Sequence, residues 1–430
     1  MVVPPEVRRN TVLLILAQTA LFTSLGPVSQ LGSLISFELT GDSALAGVPG
    51  AVFYLGVAAI TYPAARLMDR MGRRPPLVGG YCIAAAGALL ISLAVVSELL
   101  WLVLVALAIY AIGVGSGTLT RAAVVDMYPS SERGRVLGLA AAAGLVGAVL
   151  GPVVVSLGSR AADAFGGEPL AAPWLFLAAF FVLAAAGVAR VRPDPRHVAM
   201  DLARYYPGSA AVPDAAAQSD DAPSVRAVLS SAPARAAIAA AACSQGAMAV
   251  IMSTASLVLV FHGHGIHTIS TLTAAHYVGM YGTSLVFGRL VDRVGRVPFL
   301  LAGIATVALS SMLFVLSLDD VVPTAATFFL IGLGWSLSFV SGSALLGDVA
   351  PVAVRARVFA VNDASVYTSA VVAALLAGPV LDLVGERYLG ALAAIVALLP
   401  LVVLVRVLPS RIAAREPAVE APGAVGGRGS

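Results

Sequence analysis

The sequence predicts an all-α membrane protein of twelve transmembrane helices arranged as two pseudo-symmetric six-helix bundles. Three observations carry that expectation. The 430 residues are 59% hydrophobic and 11% charged, with a mean hydropathy of +0.94, more apolar surface than a water-soluble chain of this length can bury. Windows of about 20 apolar residues, the length that crosses the hydrocarbon of a bilayer, recur twelve times along the chain. Short charged motifs then recur in the same order in its two halves, the mark of an internal duplication.

The first window, 11–34, follows Arg8 and Arg9. It is too long for a secretory leader and has no convincing small-residue cleavage site, so it reads as span 1. Spans 2 (44–66) and 3 (76–97) flank the loop "RLMDRMGRRP" at 66–75. Span 4 (100–124) precedes Asp126, Arg133 and Arg135, span 5 (136–158) contains Gly151-Pro152, and span 6 (172–191) closes the first bundle, residues 1–191. A polar linker rich in Pro, Asp, Ser and Ala occupies 192–233 and is expected in the cytoplasm. The second bundle, 234–408, repeats the plan with windows at 234–261, 269–290, 298–318, 322–346, 358–381 and 387–408. Its counterpart loop after span 8 reads "RLVDRVGRVP"; Asp348, Arg355 and Arg357 repeat the spacing after span 10, and Gly378-Pro379 repeats in span 11. A disordered cytoplasmic tail is expected over 409–430. Cys82 and Cys243 both fall inside predicted spans, so no disulfide framework is implied.

All 26 basic residues are Arg. In the loops on the side opposite the termini only Arg160 and Arg387 are basic, against Glu38, Asp42, Glu98, Asp163, Glu168, Asp319, Asp320, Asp382 and Glu386. The positive-inside rule therefore places both termini in the cytoplasm. The net charge of +3 reads as a topology signal, with no support for a nucleic-acid partner. Without Lys there is no P-loop and no Schiff-base nucleophile, so ATP-driven pumping of that kind and pyridoxal-type chemistry are excluded. Nor is there a nucleophile–base or hydrolytic metal motif, and the chain is not expected to be an enzyme. The Ala-rich, Lys-free composition suggests a bacterium of high GC content, and the expected location is the bacterial cytoplasmic (inner) membrane.

The repeated Asp-Arg-x-Gly-Arg loops have a physical use. A carboxylate suits a helix N-terminus, guanidiniums suit C-terminal carbonyls and acids, and Gly permits the tight turn. Asp69, Arg70, Gly72 and Arg73 with Asp126 and Arg133, and Asp292, Arg293, Gly295 and Arg296 with Asp348 and Arg355, are thus expected to latch one face of a transporter; ordinary positive-inside loops would explain the arginines but not the doubled order. The pattern resembles the major facilitator superfamily signature Gly-x-Leu-x-Asp-Arg-x-Gly-Arg-Arg/Lys. Leu67, Asp69, Arg70, Gly72, Arg73 and Arg74 match in the first copy, with Ala65 in place of the first Gly, which the second copy keeps as Gly288. The resemblance spans essentially all twelve windows and implies the major facilitator fold, two bundles rocking about a central site by alternating access. Span 5 "GAVLGP" (147–152) also resembles part of the drug/proton antiporter element Gly-x-x-x-Gly-Pro, although small residues there equally suit close helix approach.

Four of the five His, His262, His264, His267 and His276, fall within fifteen residues. Met248 and Met252 share one face of span 7, and His276 and Met280 one face of span 8, because residues four apart stack on a helix. Counting inward from the outer ends at about 1.5 Å per residue, His276 lies ~10 Å deep, Met252 ~14 Å, Met280 ~16 Å and Met248 ~20 Å. An isolated Met pair usually fills packing gaps, and a lone intramembrane His can be a hydrogen-bonded structural residue. Together, thioethers and imidazole without a carboxylate suit a soft ion, Cu(I) first, and neutral ligands bind without a fixed negative charge, which eases release. The "HGHGIH" loop reads either as an outer capture site for metal or as a polar cap. Cys243 lies about 140° around the helix from Met248, which favours packing.

At these residues the chain resembles the CcoA-like copper importers of the superfamily, which carry Met-x-x-x-Met in span 7 and His-x-x-x-Met in span 8. The resemblance implies copper uptake into the bacterial cytoplasm, in support of haem-copper oxidase assembly, with Met248, Met252, His276 and Met280 as ligands; copper is then cargo and not a cofactor, and copper chaperones on either side are candidate partners. Related transporters in the same broader group carry riboflavin. An organic-solute or drug/proton antiporter, and a copper sensor or receptor that does not translocate, remain the alternatives. No acidic residue is expected deep within a span, Glu38 lying near the outer edge and Asp363 near the inner one, so coupling is open between a proton carried by His276 and uniport.

Overall fold

The computed structural model describes residues 3–207 and 224–404, and the described residues are helical with no strand. The expected tail at 409–430 lies outside them, as does much of the linker. Among the described residues eleven helices are long and apolar enough to cross a membrane: Pro5–Thr40, Ser43–Met71, Arg74–Val96, Leu100–Asp126, Arg135–Phe165, Ala172–Ala189, Ala232–Phe261, Arg296–Leu316, Val321–Val349, Arg357–Val384 and Arg387–Leu404. The remaining window, span 8, is a segmented rod: Ile266–Tyr277, a π-helical turn Val278–Gly282, and Ser284–Val294. Pro in the first turn opens several spans, where its missing N–H costs nothing. Gly41 and Gly166 close spans 1 and 5 in the left-handed conformation.

Three further spans are interrupted within their length. Span 1 divides at Ser24, span 4 at Thr118–Leu119 and span 7 at Ser253–Thr254. In lipid every freed carbonyl needs an internal donor, and hydroxyls at the breaks supply it: Ser24 Oγ donates to Leu21 O (2.6 Å), Thr118 Oγ1 to Gly115 O (2.6 Å) and Thr254 Oγ1 to Val250 O (3.3 Å). Gly147 and Gly151 of span 5 lie against the backbone of span 1; a Cβ at either would meet Thr19, Thr23 or Gly26. Small residues there allow close helix approach, as packing alone requires.

Apolar packing divides along the chain. One core cluster is drawn wholly from residues 7–206, and two others come from 228–404 save for Ala46 and Ala148.

On the face that carries the termini, the charged motifs act as staples. Arg73 bridges Asp69 (2.7 Å) and Asp126 (2.8 Å), and Arg296 holds Asp348 (3.1 Å) at the matching place. Arg133 Nε donates to Tyr128 O (3.1 Å) and Arg355 Nε to Ala350 O (3.0 Å), each closing the end of the preceding helix. Gly72 and Gly295 occupy the left-handed region, at φ 91° and 108°. At Gly72 a Cβ would also press on the Asp194 carboxylate. That carboxylate, from the linker, accepts from the backbone N–H of Arg73 (3.0 Å) and Arg74 (2.9 Å). Arg70 and Arg293 are exposed; the Asp292 side chain lies outside the described residues. Each ion pair described on this face joins residues of the same bundle.

The two halves meet toward the opposite face. Ser43 Oγ donates to Asp382 Oδ1 (2.7 Å), Ser270 Oγ donates to Gln30 Oε1 (2.8 Å), and Ser156 Oγ bonds His267 Nδ1 (2.8 Å). Phe37 and Phe261 pack edge to face, with ring centroids 5.2 Å apart.

Candidate functional site

A central cavity of about 360 Å³ lies between the halves, lined from spans 1, 2 and 4 on one side and 7, 8, 10 and 11 on the other. The breaks in spans 1, 4 and 7 and the π-helical turn of span 8 all adjoin it. Discontinuous helices expose side chains and backbone to a cargo while keeping them from lipid.

Met248, Met252, His276 and Met280 all line this one cavity, and each is buried, at 6%, 6%, 1% and 6% exposure. They reach it from two spans, 7 and 8, in each of which positions four apart lie toward the same side. His276 ends the α-helical segment and Met280 sits inside the π-helical turn that follows, where a Thr283 Oγ1 bond to Gly279 O helps to satisfy the backbone. His276 Nδ1 lies 3.1 Å from Phe328 O. A carbonyl only accepts, so Nδ1 carries the proton and Nε2 keeps a free lone pair, the arrangement that orients an imidazole for a metal.

Around this wall runs an aromatic array. Tyr277 stacks on Tyr281 (6.3 Å), Tyr281 meets Trp335 (6.1 Å), and Trp335 stacks on Phe339 (4.7 Å, 8° between planes). Trp335 Nε1 donates to Gln245 Oε1 (2.8 Å), which locks the indole. Phe22 and Ser29 reach across from the other half to Tyr281 and Tyr277. Gln18 Oε1 and Ser33 Oγ, both buried against the cavity, have no hydrogen-bond partner among the described residues. Its formal charges are one guanidinium, Arg121, and one carboxylate, Asp363.

The outer histidines go elsewhere. His262 Nδ1 donates to Asp319 (2.7 Å) and Nε2 to Glu386 (3.0 Å). Two carboxylates at both ring nitrogens require the imidazolium. Burial pulls the His262 pKa down, and the hydrogen bonds and charges of Asp319 and Glu386 outweigh it, leaving the group above its ordinary value. His264 Nε2 donates to Leu318 O (2.6 Å), and His267 bonds Ser156. Among the described residues no group of three or more His, Cys, Asp or Glu side chains is gathered for a metal ion. Cys243 turns away from the central cavity into a separate groove with Val361, Ser365 and Leu392.

The sequence model of the Major Facilitator Superfamily matches residues 11–233 and 236–427, nearly the whole chain in two blocks. The chain belongs to this superfamily. Among its superfamily relatives, the riboflavin transporter RfnT of Brucella anthropi is 28% identical over 413 residues, covering 95% of this chain and 98% of the relative. The uncharacterized MFS-type transporter YdeG of Bacillus subtilis is 28% identical over 364 residues, 83% of this chain and 82% of the relative. A solved POT family transporter in complex with 5-aminolevulinic acid superposes with a TM-score of 0.69 over 92% of this chain and 96% of that one, at 13% identity, a likeness of fold alone. This superfamily member is therefore a multi-pass membrane transporter. Sequence reasoning singled out Met248, Met252, His276 and Met280, which line the cavity, but not the aromatic array, Gln18, Ser33, Gln245 or Arg121; it expected Asp363 near the inner end of its span and did not bring it to the cavity that it lines. The signal for the last lay in "NDASVY": Asp363 and Tyr367 are four apart on one helix face.

Proposed function

We propose that this transporter imports copper across the bacterial cytoplasmic membrane by alternating access, secondary-active or facilitative, with Met248, Met252, His276 and Met280 as the transient ligands and both termini cytoplasmic. The observation that carries this reading is that all four, from two spans, are buried side chains lining one cavity. Three thioethers and an imidazole with a free Nε2 form a neutral, soft set, suited to Cu(I) and poorly suited to hard divalent ions. A single imidazole and no thiolate give a site that releases what it holds. The scarcity of Arg on the far face supports the orientation. In proteoliposomes, copper(I) uptake is expected from the parent and is expected to be lost in Met252→Ala and His276→Ala; variants that accumulate copper like the parent at equal amounts of protein would show the reading to be wrong.

A second reading has its own support. The cavity exceeds what a bare ion fills and lies in the range of small-molecule pockets. Its stacked rings and the unpartnered Gln18 and Ser33 suit a planar, hydrogen-bonding solute, and one relative is named as a riboflavin transporter. Riboflavin uptake that survives Met252→Ala and falls in Trp335→Ala would favour this reading.

A further inference from the structure

We propose that the groove between spans 7, 11 and 12 binds one anionic phospholipid from the leaflet on the terminus-bearing side, with an acyl chain in the groove and the phosphate on Arg357. The groove has a volume of about 610 Å³ and is separate from the central cavity. Span 11 runs between the two: Val366 and Tyr367 face the cavity, whereas Val361, Ala364, Thr368 and Val372 line the groove. Steps of three and four along a helix keep those four on one side. Cys243 of span 7 and Leu392 of span 12 belong to its other walls, and all of these positions fall inside membrane-crossing helices. Val361 and Val372 are 38% and 52% exposed, so the groove opens outward to lipid. Ser365 Oγ, also on the groove, donates to Val361 O (2.9 Å), which spends its proton inside the helix. From Val361 to Val372 span 11 rises about 16 Å, close to the hydrocarbon depth of one leaflet, half of about 30 Å.

Charge decides which lipid is held. Arg357 opens span 11, one turn before Val361 and on the same side of the helix. It is exposed, and its guanidinium makes no ion pair or hydrogen bond among the described residues. A guanidinium at the end of a span reaches the headgroup level and offers a planar fork of donors to phosphate oxygens. The bed for the chain and the counter-charge for the phosphate thus lie one helical turn apart, in the order in which a lipid presents them. A zwitterionic lipid brings an ammonium to the same guanidinium and is held less well. Spans 7 and 11 also carry Met248, Met252 and Tyr367 on their cavity sides, so a lipid seated here bears on helices that line the cavity, whichever cargo is carried.

The test uses the full chain in phosphatidylcholine nanodiscs doped with a phospholipid that carries a photoactivatable acyl chain, once as phosphatidylglycerol and once as phosphatidylcholine, with labelled peptides read by mass spectrometry. Phosphatidylglycerol is expected to label the groove stretches of spans 11 and 12 saturably and about fivefold more than phosphatidylcholine, the order that one Arg at a membrane surface supplies. Arg357→Ala is expected to bring phosphatidylglycerol down to the phosphatidylcholine level, and Arg357→Lys to keep most of the preference. Ala364→Trp, which fills the groove from an exposed position, is expected to remove labelling by both lipids from these peptides; should that variant not fold, the Arg357 pair decides alone. Equal labelling by the two lipids, an Arg357→Ala variant labelled like the parent, labelling spread evenly over all lipid-facing helices, or a groove covered by a second copy of the chain overturns the proposal.

Discussion

His276 and His262 sit fourteen positions apart in sequence and in opposite chemical situations. His276 is buried in the central cavity, its Nδ1 proton given to a backbone carbonyl and its Nε2 left free. His262 spends both nitrogens on Asp319 and Glu386, so it has no lone pair to offer while that clamp holds. Residue type alone would group the two as metal ligands. Partner geometry separates them: a ring with one acceptor-only partner is prepared for a ligand, and a ring between two acids is a bridge among loops.

The largest effect expected from this contrast is in transport. His276→Ala should lower copper uptake at least tenfold, the order seen when even an outer partner of a metal ligand is lost, while His262→Ala should leave uptake near the parent level. Equal losses from both, read by copper(I) flux into proteoliposomes, would erase the distinction. Next, Met252→Leu and Met280→Leu keep volume but remove sulfur; each should give a smaller loss, and the pair together should approach His276→Ala. Trp335→Ala sharpens the comparison from another side, because it opens the aromatic stack without touching a soft donor: copper uptake should change little, and any riboflavin uptake should fall.

The smallest expected effect is in stability. The His262 clamp lies near the surface, and Asp319 is 90% exposed at its side chain, so its contribution is no more than about 1 kcal/mol. Because the pKa of His262 is raised above its ordinary value of 6.5, that contribution is fully present below pH 6.5 and fades as pH rises through the elevated folded value. Thermal unfolding of the parent and His262→Ala should therefore differ in mild acid and converge in alkali. A difference that grows with pH would contradict the assignment.

Much of this was legible in the chain. The twelve windows, the duplicated Asp-Arg-x-Gly-Arg loops and the i, i+4 pairs of soft donors are local patterns, and local patterns dictate which face of a helix a residue takes. What depended on the partner half stayed hidden. Arg121 stands in a run that reads "TLTRAAVVD" and looks like a span end; only the opposing bundle shows that its charge enters the cavity. The same holds for Trp335 and Gln245, ninety positions apart and joined by one hydrogen bond. The helix interruptions were faintly written, as Ser24, Ser253-Thr254 and the two glycines of "VGMYG", yet each of these residues is also tolerated in an unbroken transmembrane helix. Asp194 was read as linker composition, although it anchors the start of the linker to the first charged loop.

Each bundle carries its own rivets, Arg73 to Asp126 in one and Arg296 to Asp348 in the other, and this shapes the energetics of turning inside out. Among the described residues, these guanidinium–carboxylate bonds join elements of one bundle and not the two bundles to each other. On the far side the halves are joined by hydroxyl, amide and ring contacts such as Ser43 with Asp382 and Ser270 with Gln30, and by close backbone packing of Gly47 on Ala374 and Gly378 on Ala44. The neutral hydrogen bonds among them are worth little more than the water that replaces them, so the strength of this seam lies in its packed backbone and apolar surface.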